Sequence, residues 1–319
     1  MKHILPLALL SSCLFAKCLA ADDADKQPTP LPVSSATNLH DFVVLPNSAN
    51  AVQFRLYTNA TPDASHLFNT FEIEAYGEKV LQSPGGESLK RWPVRPPTGI
   101  SLHNLLVDGR GPELHGTNGM TLIEQALGPD WSYLALDATQ AYRGRLEQYR
   151  RGILFVAPDL FVIHDHIVAK AQLNFQMWLH PPAGTQVDPI WHDLRLDLPK
   201  ASLRINAPSR RELRAWEQVM SPADAILPDT MTVKIGPTNK VSQADLITVF
   251  AVQPGGKKMD YVFKLVESNT AVGARIHREA LPTLVAFRLD ATQLTPSLDS
   301  FKFSGPVGVS VFRPKRSTP

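Results

Sequence analysis

Two histidines separated by one residue are candidate metal ligands in this sequence. His164 and His166 flank Asp165 within a predicted strand. Because successive side chains of a strand point to opposite faces, the two rings share one face and the carboxylate points to the other. Two imidazoles at this spacing can bind a transition metal, although a third ligand is not evident from the sequence. The alternative is that one ring packs at a sheet edge and the other faces water.

A second candidate is the tyrosine that precedes a cation. Tyr142 stands beside Arg143, and a neighbouring cation can lower the pKa of a phenol enough for it to act as a base. The alternative is a core-lining ring whose hydroxyl group binds a backbone group. Both interpretations fit the sequence.

Cations and tryptophans provide candidate binding surfaces. The basic clusters are Lys90-Arg91 with Arg95, Arg143 with Arg145, Arg150-Arg151, Arg210-Arg211 with Arg214, and Arg313 with Lys315-Arg316. A groove lined by one or two clusters could hold an acidic sugar chain, whereas a single cluster on a solvated face needs no ligand. Trp131, Trp178, Trp191 and Trp216 could stack on sugars if two were exposed and coplanar. Burial in the core is the default for each ring.

A β-hairpin is the central element that must position these groups. Its apolar runs, Ile153–Val156 and Leu160–Val168, are separated by Ala157-Pro158-Asp159, a turn-forming trio. The next segment alternates as a half-buried strand does. Its predicted core-facing residues are Phe175, Met177 and Leu179, and its outward ones are Asn174, Gln176, Trp178 and His180.

Most of the remaining chain also has the pattern of short strands. They are predicted at Val52–Tyr57, Phe71–Tyr76, Leu102–Val107, Leu194–Leu198, Leu203–Ile205, Met231–Ile235, Leu246–Val252, Tyr261–Val266, Leu284–Leu289 and Val307–Phe312. Gln253-Pro254-Gly255-Gly256 is predicted to close another hairpin. Short helices are predicted at Met120–Leu127 and Arg211–Met220. The fold class is therefore all-β, a large antiparallel β-sandwich with few short helices, built as one sandwich or as two stacked β units.

The first residues predict export. Residues 1–20 combine Lys2, an apolar stretch from Ile4 to Leu10 and small residues up to Ala20, the layout of a signal peptide. An alternative is a lipoprotein signal that anchors the chain through Cys13. Residues 21–35 are polar and proline-rich, as in a flexible linker, and residues 36–319 form the predicted β-domain. We expect a periplasmic or extracellular location.

Composition narrows the function classes. Cleavage after Ala20 would reduce the number of basic residues from 32 to 30, which equals the number of acidic residues, and would remove both cysteines. The mature chain would thus have no net charge and no disulfide, and its stability would depend on its hydrophobic core. No nucleic-acid signature is present, and no apolar run after the signal is long enough to span a membrane.

Three segments together resemble, in order, the β-sandwich domain of heparinase II/III-type polysaccharide lyases. The segments are SHLFNTFEIEAYGEKVLQSPGG (Ser65–Gly86), LHNLLVDGRGPELHG (Leu102–Gly116) and the stretch from Trp131 to His180 with its DAT-Tyr142 motif, proline-aspartate turn and strand ending in Asp165. They cover roughly a third of the chain. Enzymes of that family cleave acidic polysaccharide by β-elimination between this domain and a preceding helical toroid. Strand-like sequence begins here within a few dozen residues of the predicted cleavage site, so we expect the β-domain without the toroid.

The resemblance implies particular site residues. His66 and His103 match histidines of the family and, with Tyr142, are the catalytic candidates; Asn104, Arg91 and Arg143 are the candidates for substrate binding. His103 would also be a zinc ligand in an intact site. The family's second histidine is absent, however, and Leu67 or Asn69 stands where its acid would be. Two histidines alone hold zinc poorly.

Three functional interpretations remain. The first is an exported protein that binds acidic, uronate-containing polysaccharide in a groove formed by His66, Arg91, His103 and Asn104, and that cleaves it alone or with a separate toroid-type lyase subunit. The second is a non-catalytic secreted β-sandwich with an eroded metal site, which recognises a glycan or a partner protein. The third is a structural envelope domain. The departures at Leu67 and Asn69, and at Gln82 where a later acid of the family is also missing, favour the second interpretation, while His66, His103 and Asn104 keep the enzyme possible.

Overall fold

The structure is a computed structural model that describes most of the chain after residue 41. The described residues are 42–46, 52–58, 69–82, 103–112, 120–142, 144–182, 184–188, 193–208, 215–219, 232–257, 260–278 and 282–311. The predicted signal peptide and linker lie outside these residues.

An antiparallel eight-stranded sheet forms the centre of the molecule. In spatial order its strands are β11 (Gln186–Asp188), β12 (Asp193–Asp197), β13 (Ala201–Asn206), β16 (Val241–Pro254), β9 (Leu160–Leu173), β8 (Leu146–Val156), β7 (Trp131–Asp137) and β6 (Thr121–Leu127). The predicted hairpin is the β8–β9 pair, in which Val156 faces Leu160 across the turn. Its continuous apolar runs are explained by burial on both faces of the sheet.

The first face of this sheet packs against two four-stranded sheets. One consists of β1 (Phe42–Pro46), β2 (Val52–Tyr57), β3 (Phe71–Ala75) and β4 (Glu78–Leu81). The other, in spatial order, consists of β14 (Ala215–Val219), β15 (Thr232–Gly236), β10 (Phe175–Leu179) and β5 (Asn104–Val107). Phe155 and Phe161 from the central sheet meet Phe54, Phe71 and Met177 in this first core. As predicted, Phe175, Met177 and Leu179 all face the core.

The second face packs against the C-terminal strands. They are β17 (Tyr261–Glu267), β18 (Ala271–Arg278), β19 (Thr283–Arg288) and β22 (Val307–Val311), with the small pair β20 (Ser297–Leu298) and β21 (Phe301–Lys302) alongside. Leu154, Val162 and Val249 of the central sheet contact Val272 and Phe287 in this second core. The central sheet is thus the middle layer between two hydrophobic cores.

Three local predictions are wrong. Thr121–Leu127 is an edge strand and not a helix. Leu122, Ile123 and Leu127 are about half exposed on this strand, and their spacing in the sequence resembles the apolar face of a helix. Residues 215–219 likewise form a strand. The turn at Gln253–Gly256 does not close a hairpin, because β16 and β17 belong to different sheets. The backbone N–H of Gly255 instead donates to the carbonyl of Lys200 in the central sheet.

The predicted all-β, antiparallel class is confirmed. Within the described residues the only helical element is the 3₁₀ turn Thr139–Tyr142. None of the helices in this part of the chain has the length and apolar character needed to cross a membrane.

Candidate functional site

His103 lies immediately before β5 and is completely buried. Its Nδ1 accepts a hydrogen bond from the backbone N–H of His180 (3.1 Å), so the ring hydrogen is on Nε2, which donates to the carbonyl of Gln82 (2.9 Å). Burial and the nearby His180 ring lower the pKa of His103 to about 3, although the bond to Gln82 opposes them. The ring is therefore neutral at pH 7, with both nitrogens engaged.

Asn104 and Tyr142 belong to a buried hydrogen-bond network. Asn104 Oδ1 accepts from the backbone N–H of Leu105 (2.8 Å) and from Asn69 Nδ2 (2.9 Å). The hydroxyl group of Tyr142 donates to the carbonyl of Leu105 at 2.8 Å. Asn69, one of the two positions at which the family resemblance implied an acid, adopts a φ of 62°. This left-handed backbone conformation is one that asparagine tolerates well.

A fully buried ion pair holds this network to the central sheet. Arg151 donates to both carboxylate oxygens of Asp165, from Nε at 2.7 Å and from Nη2 at 3.1 Å. Its Nη1 donates to the backbone and side-chain oxygens of Asn69, both at 2.8 Å. The hydroxyl group of Tyr149 also donates to Asp165. Because every charged group here has several partners, the network can be stable in the core.

The phenol of Tyr142 does not have the properties that its position in the sequence suggested. Burial raises its pKa, and the lowering by the nearby Arg151 is too small to offset it. Arg145 approaches this ring, with its guanidinium carbon 5.5 Å from the ring centre, but its nitrogens donate to the carbonyls of Val107, Arg110 and Gly111. Arg145 thus stabilises a loop. Tyr142 lines the core with its hydroxyl group bound to a backbone carbonyl, as its alternative interpretation describes.

Several site predictions lie outside the described residues. They concern His66, Arg91 and Arg143. The catalytic assignment of His66, His103 and Tyr142, and the binding assignment of Asn104, Arg91 and Arg143, stay predictions. Of the four residues predicted to form the groove, the structure describes His103 and Asn104, which are adjacent in sequence and both buried.

A partly exposed tryptophan lies on the outer face of the neighbouring sheet. Trp178 on β10 points away from the core, since Met177 and Leu179 on either side pack into it. The ammonium group of Lys234 on β15 lies 4.9 Å from the centre of the indole ring. The indole N–H donates to the side-chain oxygen of Gln176 at 3.2 Å. An aromatic face and a cation therefore stand together on one sheet surface.

This surface is linked to the buried histidine by a third ring. The ring of His180 lies 6.4 Å from that of Trp178 and 6.0 Å from that of His103. His180 is buried, contrary to its predicted outward position, and its Nδ1 is 3.2 Å from the hydroxyl oxygen of Thr232. The outer face around Trp178 is thus connected to the buried His103 through the ring of His180.

The two faces of β9 carry different chemistry, as the sequence predicted. Asp165 faces the first core, and His164 and His166 face the side of the second core. A third candidate ligand, which the sequence did not show, is Asp245 on β16. Its Oδ1 lies 2.8 Å from His164 Nε2 and 2.9 Å from His166 Nδ1. Only the pairing of β9 with β16 could have identified it, because about 80 residues separate these groups.

The sequence comparisons give no family, whereas the structural comparisons give a fold. Neither a protein-family profile nor a curated protein sequence matches this chain. Heparan sulfate lyase HepC from Pedobacter heparinus superposes with a TM-score of 0.61 at 14% identity, covering 84% of this chain and 44% of the lyase. A heparinase III structure superposes with a TM-score of 0.58 at 13% identity, covering 78% of this chain and 42% of that enzyme.

These similarities define a lyase-like β fold. Identities this low show a shared fold and do not by themselves establish a shared activity. The chain spans less than half the length of the two lyases.

Proposed function

We propose that this chain binds acidic, uronate-containing polysaccharide on the outer face of the sheet β14-β15-β10-β5 and that it does not cleave the polysaccharide on its own. The observation that carries the binding proposal is the Trp178–Lys234 pair on that face. The lyase-like fold supports the class of ligand, because HepC is a heparan sulfate lyase.

Trp178 and Lys234 supply complementary contacts for an acidic sugar. The face of an indole ring offers a flat apolar surface on which the C–H groups of a sugar ring can stack. The ammonium group of Lys234, which lies over the indole ring, can pair with a uronate carboxylate or a sulfate of a bound sugar. Gln176 fixes the indole through its N–H, so less conformational entropy is lost when a sugar binds.

We propose that the chain does not cleave the polysaccharide because His103 and Tyr142 are buried and hydrogen-bonded to the protein. β-Elimination needs a base at the C5 proton and an acid at the departing O4 oxygen, each within hydrogen-bond reach of the sugar. Both side chains are inaccessible to a polymer, and each has its ring nitrogens or hydroxyl group bound to the protein. A pKa near 3 also makes His103 a weak base.

A complete lyase assembled with a partner is the second candidate. The chain covers 44% of HepC, so a toroid-type helical partner could supply the base and acid that the described residues do not present. We further propose that the mature chain is exported to the periplasm or the extracellular space, either free or anchored through Cys13.

A binding and cleavage assay tests this function. The purified mature chain is titrated with heparan sulfate, heparin, alginate and hyaluronan, with neutral dextran as the control, and the far-ultraviolet absorbance of the unsaturated product is followed. We expect binding to at least one acidic glycan that weakens as salt is added, no binding to dextran and no rise in absorbance. Binding to none of the acidic glycans would overturn the proposal, and a rise in absorbance would overturn the non-catalytic part of it.

A further inference from the structure

A cluster of two histidines and one aspartate lies on the opposite side of the central sheet from the proposed glycan surface. The ligand atoms of His164, His166 and Asp245 all lie within 4.8 Å of one another. Strand pairing brings these side chains together, because Asp245 faces His166 directly across the β9–β16 ladder. The two imidazoles are on one face of β9 because one residue separates them.

The surroundings of the cluster are closed on one side and open on the other. His164 is 4% exposed, and its ring lies 4.9 Å from that of Phe287 on β19. The side chains of His166 and Asp245 are 12% and 18% exposed. Gly152 faces His164 from β8, and a Cβ atom there would lie 2.9 Å from the hydroxyl group of Tyr133. The glycine therefore leaves room for the ring of Tyr133 next to the cluster.

Two arginines near the cluster pair with one acidic side chain. Arg150 faces His166 from β8, but its guanidinium group pairs with the carboxylate of Glu124 at 2.5 Å. Arg288 pairs with the same carboxylate at 3.1 Å. Both arginines thus point toward Glu124. The carboxylate of Asp245 has the imidazoles of His164 and His166 as hydrogen-bonding partners.

We propose that His164, His166 and Asp245 form a binding site for one divalent transition-metal ion, with Zn²⁺ as the preferred occupant. Two imidazole nitrogens and one carboxylate oxygen form a ligand set that zinc accepts, and a water molecule from the open side can take the fourth position. Nitrogen ligands disfavour Mg²⁺ and Ca²⁺, which prefer oxygen. The site is distinct from the zinc position that the family resemblance implied at His103.

The existing distances are close to those that zinc requires. At usual zinc bond lengths, two ligand atoms of a tetrahedral site are about 3.3 Å apart, and Asp245 Oδ1 already lies 2.8 Å and 2.9 Å from the two nitrogens. To bind the ion, each ring carries its hydrogen on the nitrogen that does not face Asp245, so that His164 Nε2 and His166 Nδ1 present lone pairs. The ion then replaces the two hydrogen bonds to Asp245.

Metal titration of the untagged chain tests the site without any glycan. The protein is treated with a chelator, dialysed and titrated with Zn²⁺ in competition with a chromophoric chelator; Co²⁺ is titrated separately for its visible spectrum. We expect one ion per chain and a Co²⁺ spectrum typical of tetrahedral coordination. H166A and D245N should each weaken Zn²⁺ binding at least about tenfold, and H277A, which alters an exposed histidine on β18, should leave it unchanged.

Thermal unfolding of each variant, with and without Zn²⁺, separates lost binding from lost folding. The wild-type chain and H277A should become more stable as Zn²⁺ is added, whereas D245N, which preserves the shape of the side chain, should fold and gain no stability. The proposal is overturned if the wild type binds no Zn²⁺, if H166A and D245N bind it as tightly as the wild type, or if excess Mg²⁺ displaces it. These results do not depend on glycan binding, so either proposal can fail alone.

Discussion

Arg151 and Asp165 face one another across β8 and β9 and form a bidentate ion pair with no exposure to solvent. The same guanidinium group binds Asn69, which in turn binds Asn104 and Tyr142. The pair therefore connects the central sheet to the strands around the predicted groove. Burial is the largest influence on the arginine and lowers its pKa, but Asp165, Tyr149 and Tyr142 together raise the pKa by more, so the guanidinium group remains charged.

Removing one charge of this pair should destabilise the protein strongly. We expect D165N to lower the free energy of unfolding by about 3–5 kcal/mol, because it leaves the buried guanidinium without its counter-charge. Urea denaturation measures the loss. The matched control is D197N, which breaks the exposed Arg195–Asp197 pair and should cost less than about 1 kcal/mol. Equal losses in the two variants would contradict a buried, structural pair.

The hydroxyl group of Tyr142 should matter for stability and not for binding. Y142F leaves the carbonyl of Leu105 without a buried donor, so we expect a loss of about 1–3 kcal/mol in the free energy of unfolding. Affinity for acidic glycan should be unchanged. Urea denaturation and glycan titration of the same preparation check both expectations. Unchanged stability together with lost binding would instead favour a direct role at the sugar.

Burial of neutral His103 should make stability depend on pH. Its pKa in the folded chain, about 3, lies below that of an unfolded histidine, about 6.5. Between these values the unfolded chain binds the additional proton, so this contribution is fully present above pH 6.5 and is lost as the pH falls toward 3. The slope reaches about 1.4 kcal/mol per pH unit.

Comparison with H103Q isolates that contribution from other titrating groups. We expect the wild type to be more stable than H103Q at pH 7 and the difference to shrink as the pH is lowered from 6.5 to 4, as measured by urea denaturation at each pH. A difference that stays constant over this range would show that the histidine is not held neutral in the fold.

Strand positions could be predicted from the sequence because burial leaves a local pattern. Phe175, Met177 and Leu179 alternate with outward residues, and the continuous apolar runs of β8 and β9 reflect burial on both faces. The pattern failed at β6, where an edge strand exposes Leu122 and Ile123. Exposed apolar residues carry no information about which face is buried.

Contacts between distant segments could not be predicted from local patterns. The sequence placed His164 and His166 on one face of a strand, but not Asp245, which meets them only because β16 pairs with β9. It likewise treated Asn69 as a missing acid, whereas its amide lies between Arg151 and Asn104 in the buried network. His103 was predicted within the strand Leu102–Val107 but lies immediately before β5, and its burial depends on the covering strands.

The central claim is that the Trp178–Lys234 surface binds acidic polysaccharide, and affinity measurements on two variants and one control test it most directly. We expect W178A and K234Q each to raise the Kd for the acidic glycan that binds wild type best by about tenfold. K264Q, which removes an exposed cation on β17 on the far side of the molecule, should leave the Kd unchanged. Equal affinity of all three variants and the wild type would contradict the account.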